Sequence, residues 1–263
     1  MVSGYVLTWK GGRTGGPRAL APGDGTRLRP DTLGRLDRAS LCAVPIPLGR
    51  TRVPLGNLFA VEGTPGDLLT LRAMPPLAGL GSAMARGELV IEGDAGDDLG
   101  ASMTGGLIRV RGSAGHRVGG PGPCSTRGMR GGEILIQKDA GDHVGFRMRR
   151  GLIAVGGRCG SSPGYQMLAG TIVLTRGPFD HPGLGMRRGT IVSLDPNSGL
   201  NLGEAFAPDA VITMSSVPAM LILFRRLEDL GFAARPLEPT DRLRFSSGDR
   251  FELNRGEGIQ CLS

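Results

Sequence analysis

Aromatic side chains are scarce in this chain of 263 residues, which has one Trp, two Tyr and eight Phe. That scarcity argues against a conventional layered core and against a base-stacking platform for nucleic acid. Lysine is nearly missing as well: only Lys10 and Lys138 occur among 31 basic residues, so the net charge of +7 rests on arginine. Four cysteines, Cys42, Cys124, Cys159 and Cys261, are widely scattered without CxxC spacing. They support neither a disulfide framework nor a zinc or iron–sulfur site. No apolar run is long enough for a membrane helix, which needs about 18 residues or more, and residues 1–10 hold too few apolar side chains for a signal peptide. These absences lead to the expectation of a soluble cytoplasmic protein with no membrane contact. No Gly-x-Ser-x-Gly elbow, GxxxxGK[ST] loop or HExxH helix occurs, so none of the common nucleophile, phosphate or zinc motifs is available.

What the chain has in quantity is glycine, 46 residues with 19 prolines beside them. Without a period such a composition would mean low complexity, but here a period exists. Met84, Met103, Met129, Met148, Met167 and Met186 are spaced 19, 26, 19, 19 and 19 apart, and each is followed three residues later by glycine: Gly87, Gly106, Gly132, Gly151, Gly170 and Gly189. A further Gly stands twelve residues after the Met in four units and sixteen after it in five. Between the glycines lie short β-branched runs such as Ile134-Leu135-Ile136 and Ile172-Val173-Leu174. A unit of 19 residues is too short for a strand with a crossover helix, which takes about 30, and no window here has a period of 3.6. The fold that remains is mainly β: a right-handed parallel β-helix with turns of about 19 residues.

Stacking assigns each column a role. Methionine fills an irregular interior corner, and glycine supplies backbone with φ > 0 at the bends; a soft-metal site built from thioethers alone, with no Cys or His in register, has poor support. The seven extra residues between Met103 and Met129 fall in a Gly/Pro-rich segment, 119–128, which should protrude as a loop. Arginines flank the Met column: Arg86, Arg130, Arg149, Arg150, Arg187 and Arg188 just after it, Arg127 and Arg147 just before it. Stacked, they form a basic stripe that either favours an anionic partner or serves as a solvated face that prevents self-association. The three histidines, His116, His143 and His181, fall in columns that also hold Asp97, Asp98, Asp142 and Asp180, giving the pairs Asp142-His143 and Asp180-His181. These two pairs lie two turns apart, roughly 10 Å at the usual strand spacing, too far for one metal ion. No metal ligand set and no catalytic residue is assigned.

Three regions follow. Residues 1–55 are irregular, with Tyr5-Val6-Leu7-Thr8-Trp9 as a strand, a candidate short helix within 30–43, and a stretch broken by prolines at 45–54. Residues 56–205 are the solenoid, with Leu58-Phe59-Ala60-Val61 and Leu68-Leu69-Thr70-Leu71 as imperfect first turns. Residues 206–263 form a C-terminal cap whose helix, 218–230, is stopped by Gly231 and lies over an open end of the stack.

The recurring M-x-x-G-x-I-x-V with trailing A-G-x-x-V-G, seen in residues 84–100, 103–119 and 129–145, resembles the glycine-repeat β-helix of two kinds of protein. One is the C-terminal domain of the glutamate synthase large subunit; the other is the C subunit of formylmethanofuran dehydrogenase and of the related bacterial formyltransferase/hydrolase complex. The flanks, including Val53-Pro-Leu-Gly-Asn-Leu-Phe59, the 218–231 helix followed by Arg244-Phe-Ser-Ser-Gly-Asp249, and Arg255-Gly-Glu-Gly-Ile259, look like those of the second kind. The Arg-rich, Lys-poor composition fits an aerobic GC-rich bacterium better than a methanogenic archaeon, which within the resemblance favours the methylotroph version. The resemblance implies a complex in which formyl passes from formyl-tetrahydromethanopterin to a methanofuran analogue and is released as formate, in the oxidation of one-carbon units derived from formaldehyde. It implies that the chemistry belongs to an amidohydrolase-like subunit, a formyltransferase subunit and a third subunit, and that this chain is a scaffold binding no cofactor itself. Methanofuran-type carriers bear glutamate-derived carboxylates, so the arginine stripe would meet either the carrier's anionic tail or an acidic face of a neighbouring subunit. Three other readings stay open: the corresponding subunit of a Mo/W formylmethanofuran dehydrogenase, a glutamate-synthase-like module, or a lone catalytic domain using the Asp/His turns.

Overall fold

The computed structural model describes residues 3–11, 24–48, 51–177, 179–196, 207–232, 241–247 and 255–262. The expected boundary near residue 205 and positions 248 and 249 of the tail motif lie outside the described residues. The N-terminal region contributes β1 (Gly4–Trp9), the short helices α1 (Pro30–Leu33) and α2 (Arg38–Ala43), the strands β2 (Pro45–Leu48) and β3 (Thr51–Pro54), α3 (Leu55–Leu58), and β4 (Phe59–Gly63). The repeats supply β5 (Leu68–Arg72), β6 (Glu88–Ile91), β7 (Leu107–Val110), β8 (Arg130–Ile136), β9 (Arg150–Arg158), β10 (Thr171–Arg176) and β11 (Arg188–Ser193). The remainder supplies β12 (Ala207–Thr213), α4 (Pro218–Asp229), β13 (Arg242–Ser247) and β14 (Arg255–Leu262).

Among the described residues, twelve strands form one sheet in the order β12-β13-β14-β11-β10-β9-β8-β7-β6-β5-β1-β4. From β5 to β11 every neighbouring pair is parallel and in the register that the repeat demands: Ile108 faces Ile134, Ile134 faces Ile153, Ile153 faces Ile172 and Ile172 faces Ile191. A second parallel ladder, Ala114 to Ala140 to Cys159, runs along another side of the stack. The architecture is mainly β and β-helix-like.

The interior follows from the columns. All six repeat methionines are fully buried, as are Leu89, Ile108, Ile134, Ile153, Ile172 and Ile191. The glycine three residues after each Met serves two purposes. Its φ is strongly positive, 86° at Gly106, 90° at Gly132 and 109° at Gly151, a region costly for any residue with a Cβ. A Cβ there would also strike the methionine of the turn before: Gly106 meets Met84 Cε at 2.6 Å, Gly132 meets Met103 Cε and Gly151 meets Met129 Cε at 2.7 Å. The later glycines, Gly100, Gly119, Gly145 and Gly164, stand in the same relation to the Cδ1 atoms of Ile134, Ile153, Ile172 and Ile191.

The ends are built differently from the imperfect turns expected of the sequence. The rung before β5 is the N-terminal strand β1, parallel to β5, and β4 closes that edge antiparallel to β1. At the first repeat, where the turn before supplies no Met beneath Gly87, the ring of Pro30 fills the space against it, 3.0 Å from where a Cβ would lie, and Asp31 accepts the Ala85 N–H at 3.1 Å. The proline stretch 45–54 contains an antiparallel pair, β2 with β3. At the far end β14 continues the repeat in register, Gly256 beside Gly189, before β13 and β12 close it antiparallel.

The C-terminal helix also departs from its expected place. It forms over Pro218–Asp229 and stops at Gly231 with φ 64°, the Phe232 N–H reaching Leu227 O and the Gly231 N–H reaching Glu228 O, a Schellman end. It does not cover the end of the stack. Its buried Met220, Phe224 and Leu227 belong to a second core with Leu135, Leu152, Ala154, Val173 and Val192, the outward side chains of β8 to β11. The physical reason is that these outward positions are apolar in the later turns, whereas Arg109 takes the equivalent place on β7. Arg226 clamps Glu133 through two bonds of 2.8 Å, and Arg109 donates to Glu88 and to the carbonyl of Leu230.

Two expectations test the packing. Gly132→Ala should cost about 2–4 kcal/mol, from left-handed strain plus overpacking. Met103→Val in that background should recover part of it, so a double-mutant cycle read by denaturant unfolding should show coupling of order 1 kcal/mol; additive effects would show that the Met–Gly contact is unimportant. Cys159 sits in the small-residue column, 8% exposed, and burial first, then the Asp142 charge, pushes its thiol up to about 12. The folded state therefore holds the proton that an unfolded thiol loses near ~8.5. Stability from this group is intact below about pH 8.5 and falls as pH rises toward 12. In the native chain at pH 8, a thiol-alkylating reagent should label the exposed Cys124 and spare Cys159.

Candidate functional site

Position in the repeat decides where the arginines go. The first residue after each Met donates its N–H to the Met carbonyl of the preceding turn: Arg130 to Met103, Arg149 to Met129, Leu168 to Met148 and Arg187 to Met167. This ladder holds successive positions at the inter-strand spacing of about 4.8 Å. The result is a groove of about 620 Å³ lined by Arg130, Arg149, Arg150, Leu168, Ala169, Arg187 and Arg188. Arg130 and Arg150 are direct register partners across β8 and β9. Arginine stands in three turns of the groove, at Arg130, at Arg149 with Arg150 and at Arg187 with Arg188, and the uncharged turn of Leu168 and Ala169 separates the last from the first two.

Cations so placed repel one another. At about 5 Å in water two unit charges cost roughly 0.8 kcal/mol, and among the described residues Arg130, Arg149, Arg150 and Arg188 have no ion-pair partner. The Arg149 Nε is buried without an acceptor. Some arginines elsewhere are matched, as in Arg72 with Glu92 and Arg117 with Asp98, both at 2.8 Å. The groove thus gathers Arg130, Arg149, Arg150 and Arg188 on one face with no ion-pair partner among the described residues.

Three arginines of the expected stripe are not in this groove. Arg86 is exposed two turns before Arg130. Arg127 belongs to the loop, where its carbonyl accepts bonds from Ser102 and Ser125. Arg147 donates to Gln166 at 2.8 Å and lies over the Phe146 ring, 5.3 Å from its centroid. The loop itself is exposed over Pro123 to Arg127 and is tied at its base by the Ser102 hydroxyl, which accepts the Gly122 N–H.

Of the two expected Asp/His pairs, one forms. Asp180 and His181 do meet, at 2.7 Å, but the expected pair Asp142-His143 does not form. Asp142 contacts His116 of the previous turn at 3.2 Å and accepts the Ser161 N–H. His143 packs instead on Tyr165 and Phe146, ring centroids 5.5 and 6.3 Å away. The cause is local: residue 146 is aromatic and offers a ring to stack on, whereas the matching residue beside His181 is Leu184. Most of the acidic side chains in these corners cap backbone. Asp94, Asp97, Asp139 and Asp142 accept the N–H of Ser113, His116, Arg158 and Ser161 in the following turn, at 2.7 to 2.9 Å. This ladder was readable as Asp ten and thirteen residues after Met, a spacing that the search for His and Asp pairs passed over. Among the described residues no group of three His, Cys, Asp or Glu could hold a metal ion, and no helix is long and apolar enough to cross a membrane.

No protein-family model matches the chain, and no curated protein matches it. A solved structure does: over 97% of this chain and 98% of the other, with 29% identity and a TM-score of 0.74, the chain is similar to one in the X-ray crystal structure of the formyltransferase/hydrolase complex (FhcABCD) from Methylorubrum extorquens in complex with methylofuran.

Proposed function

We propose that this chain is the β-helical scaffold of a formyltransferase/hydrolase complex, corresponding to its C subunit, which holds the assembly and does not itself make or break bonds. The observation that carries this is the end-to-end likeness to a chain of such a complex, 97% of one and 98% of the other; a grafted domain would match over only part of its length. Two features support it. The repeat is consumed by packing, Met84, Met103, Met129, Met148 and Met167 each under a Gly and Asp94, Asp97, Asp139 and Asp142 each on a backbone N–H, which suits a rigid frame. The offsets of nineteen between paired isoleucines, Ile153 to Ile172 to Ile191, support one turn of nineteen residues per repeat.

On this reading the partners are an amidohydrolase-like subunit, a formyltransferase subunit and a third subunit. The reaction served is transfer of formyl from formyl-tetrahydromethanopterin to a methanofuran analogue, followed by hydrolysis to formate in the cytoplasm of a methylotrophic bacterium. The arginine groove is the point of contact with carboxylates, because its layered guanidinium groups are matched by a flexible polyanion better than by a single ion. The carrier's glutamate-derived tail is the ligand it fits; the chain's part is electrostatic retention while chemistry proceeds elsewhere.

Two measurements test this. Co-expressed with the other three subunits, the chain should co-purify in fixed stoichiometry; isolation alone, or with glutamine-hydrolysing or flavin subunits, would overturn the assignment. Arg149→Glu combined with Arg150→Glu should lower carrier retention by the assembled complex at least tenfold at low salt. The deficit relative to the parent should shrink as ionic strength rises toward 0.5 M, where the Debye length falls to about 4 Å. The thermal midpoint of the chain should stay within about 2 °C, since these side chains are outside the core. Unchanged retention at low salt would reduce the groove to a solvated face, and lost assembly with retention intact would point to an acidic face on a neighbouring subunit.

A further inference from the structure

One exposed feature is used neither by the packing nor by the arginine groove. Seventeen residues after the Met, three successive turns carry Phe146, Tyr165 and Leu184. Backbone bonds fix their alignment: the Arg147 N–H reaches Tyr165 O at 3.0 Å, and the Gln166 N–H reaches Leu184 O at 2.8 Å. The rings of Phe146 and Tyr165 stack at 5.4 Å with 19° between planes, and His143 leans on Tyr165. Leu184 is 51% exposed, one of three large hydrophobics so exposed among the described residues; the others are Val211 and Ile222. In a chain with only 4% aromatics, an aromatic stack continued outward by a bare leucine is not what the core requires. The two earlier turns have Ala101 and Gly120 at this position and stack without it.

The polar groups around this ridge are donors lacking acceptors. Tyr165 accepts from Gln166 Nε2 at 3.3 Å and keeps its own O–H to give. His143 has ring contacts only, and Arg147 uses Nε on Gln166 while no acceptor among the described residues meets its two Nη groups. The nearby carboxylates are already engaged, Asp142 by Ser161 and His116, Asp180 by Ser161 and His181. Three and four residues beyond the ridge along the chain stand the groove arginines, Arg149 and Arg150 after Phe146, and Arg187 and Arg188 after Leu184. Aromatic, Arg and exposed aliphatic side chains in one rigid patch are the composition of an interface centre, and the field around this one is positive.

We infer that the Phe146–Tyr165–Leu184 ridge is a docking edge for another member of the complex, through a partner segment that sets an apolar side chain against Leu184 and Tyr165 and carries Asp or Glu beside it. A second copy of this chain does not fit, because it would bring the same +7 charge and the same arginines to the contact. The inference rests on the reading of the chain as one member of a hetero-oligomer.

The test is assembly of the full chain co-expressed with the other subunits, followed by size exclusion and native mass spectrometry. Leu184→Asp should weaken retention of this chain at least tenfold, and Leu184→Lys, equally polar but of complementary charge, should weaken it less. Ile222→Asp on α4 should assemble as the parent does, and all three variants should keep the parent's thermal midpoint, because each site is exposed. If Leu184→Asp and Tyr165→Ser assemble like the parent, the docking edge is wrong while the assignment to the complex stands. If the parent chain fails to assemble, that assignment fails and the inference with it. A dimer of the isolated chain that Leu184→Asp dissolves would replace the hetero-oligomeric partner by a second copy and overturn the inference.

Discussion

The contact between a methionine methyl and the glycine of the following turn is the constraint on which the rest of the molecule depends. Met84 under Gly106, Met103 under Gly132, Met129 under Gly151 and Met148 under Gly170 repeat one piece of geometry. Each half needs the other. A Cβ on the glycine would drive the thioether out, and a shorter side chain than Met would leave a void beneath a glycine that cannot fill it. Because the contact joins one turn to the next, it fixes register as well as density. A slip by one residue would put strand side chains on the wrong face and set methionine against a residue that has a Cβ.

Register, once fixed, converts sequence position into location. Residues one and two after Met form the arginine groove, those ten and thirteen after it cap the next turn's backbone, and those seventeen after it stand on the outer corner. Inward columns can be filled only by residues that stack on copies of themselves, which is why the isoleucine column varies so little. Outward columns are free to differ from turn to turn. The insertion at 119–128 divides them: the arginine pairs and the aromatic corner all lie in the turns after it, and Arg86 stands by itself before it. The functional asymmetry of the chain therefore runs along the stack axis, with packing uniform and surface chemistry concentrated in the later turns.

The periodic part was legible in the sequence because its signals are local and repeated. Strands β6 to β11 and the arginine groove follow from counting residues from each Met. What counting could not supply depends on contacts between segments far apart in the chain. That β1 inserts beside β5 and reverses β4 to an edge rests on Leu7 lying against Leu71 on one side and Val61 on the other. That α4 lies along β8 to β11 instead of over the end rests on Leu135, Ala154, Val173 and Val192 being apolar on the outer face, a face that a two-residue period alone assigns to solvent. The aromatic corner was missed for a related reason: at that position only three of the turns carry large apolar groups, so no column stands out until stacking brings them together.

Backbone conformation shows how firmly the scaffold is determined. Asp98, Arg117, His143, Ser162 and His181, all fourteen residues after Met, adopt φ between 46° and 58°, a left-handed region that side chains enter at a cost of about 1–2 kcal/mol each. Five residues of four chemical types share that strain, so the demand comes from the turn and not from any reaction at one of them. Strain concentrated at a single residue would suggest an active site. Strain repeated at every turn means that the corner geometry is set by the stack, and the side chain that occupies it is chosen afterwards for what it meets outside: Asp98 for Arg117, His143 for the ring of Tyr165, His181 for Asp180. A chain organised this way can change its surface turn by turn without disturbing its frame.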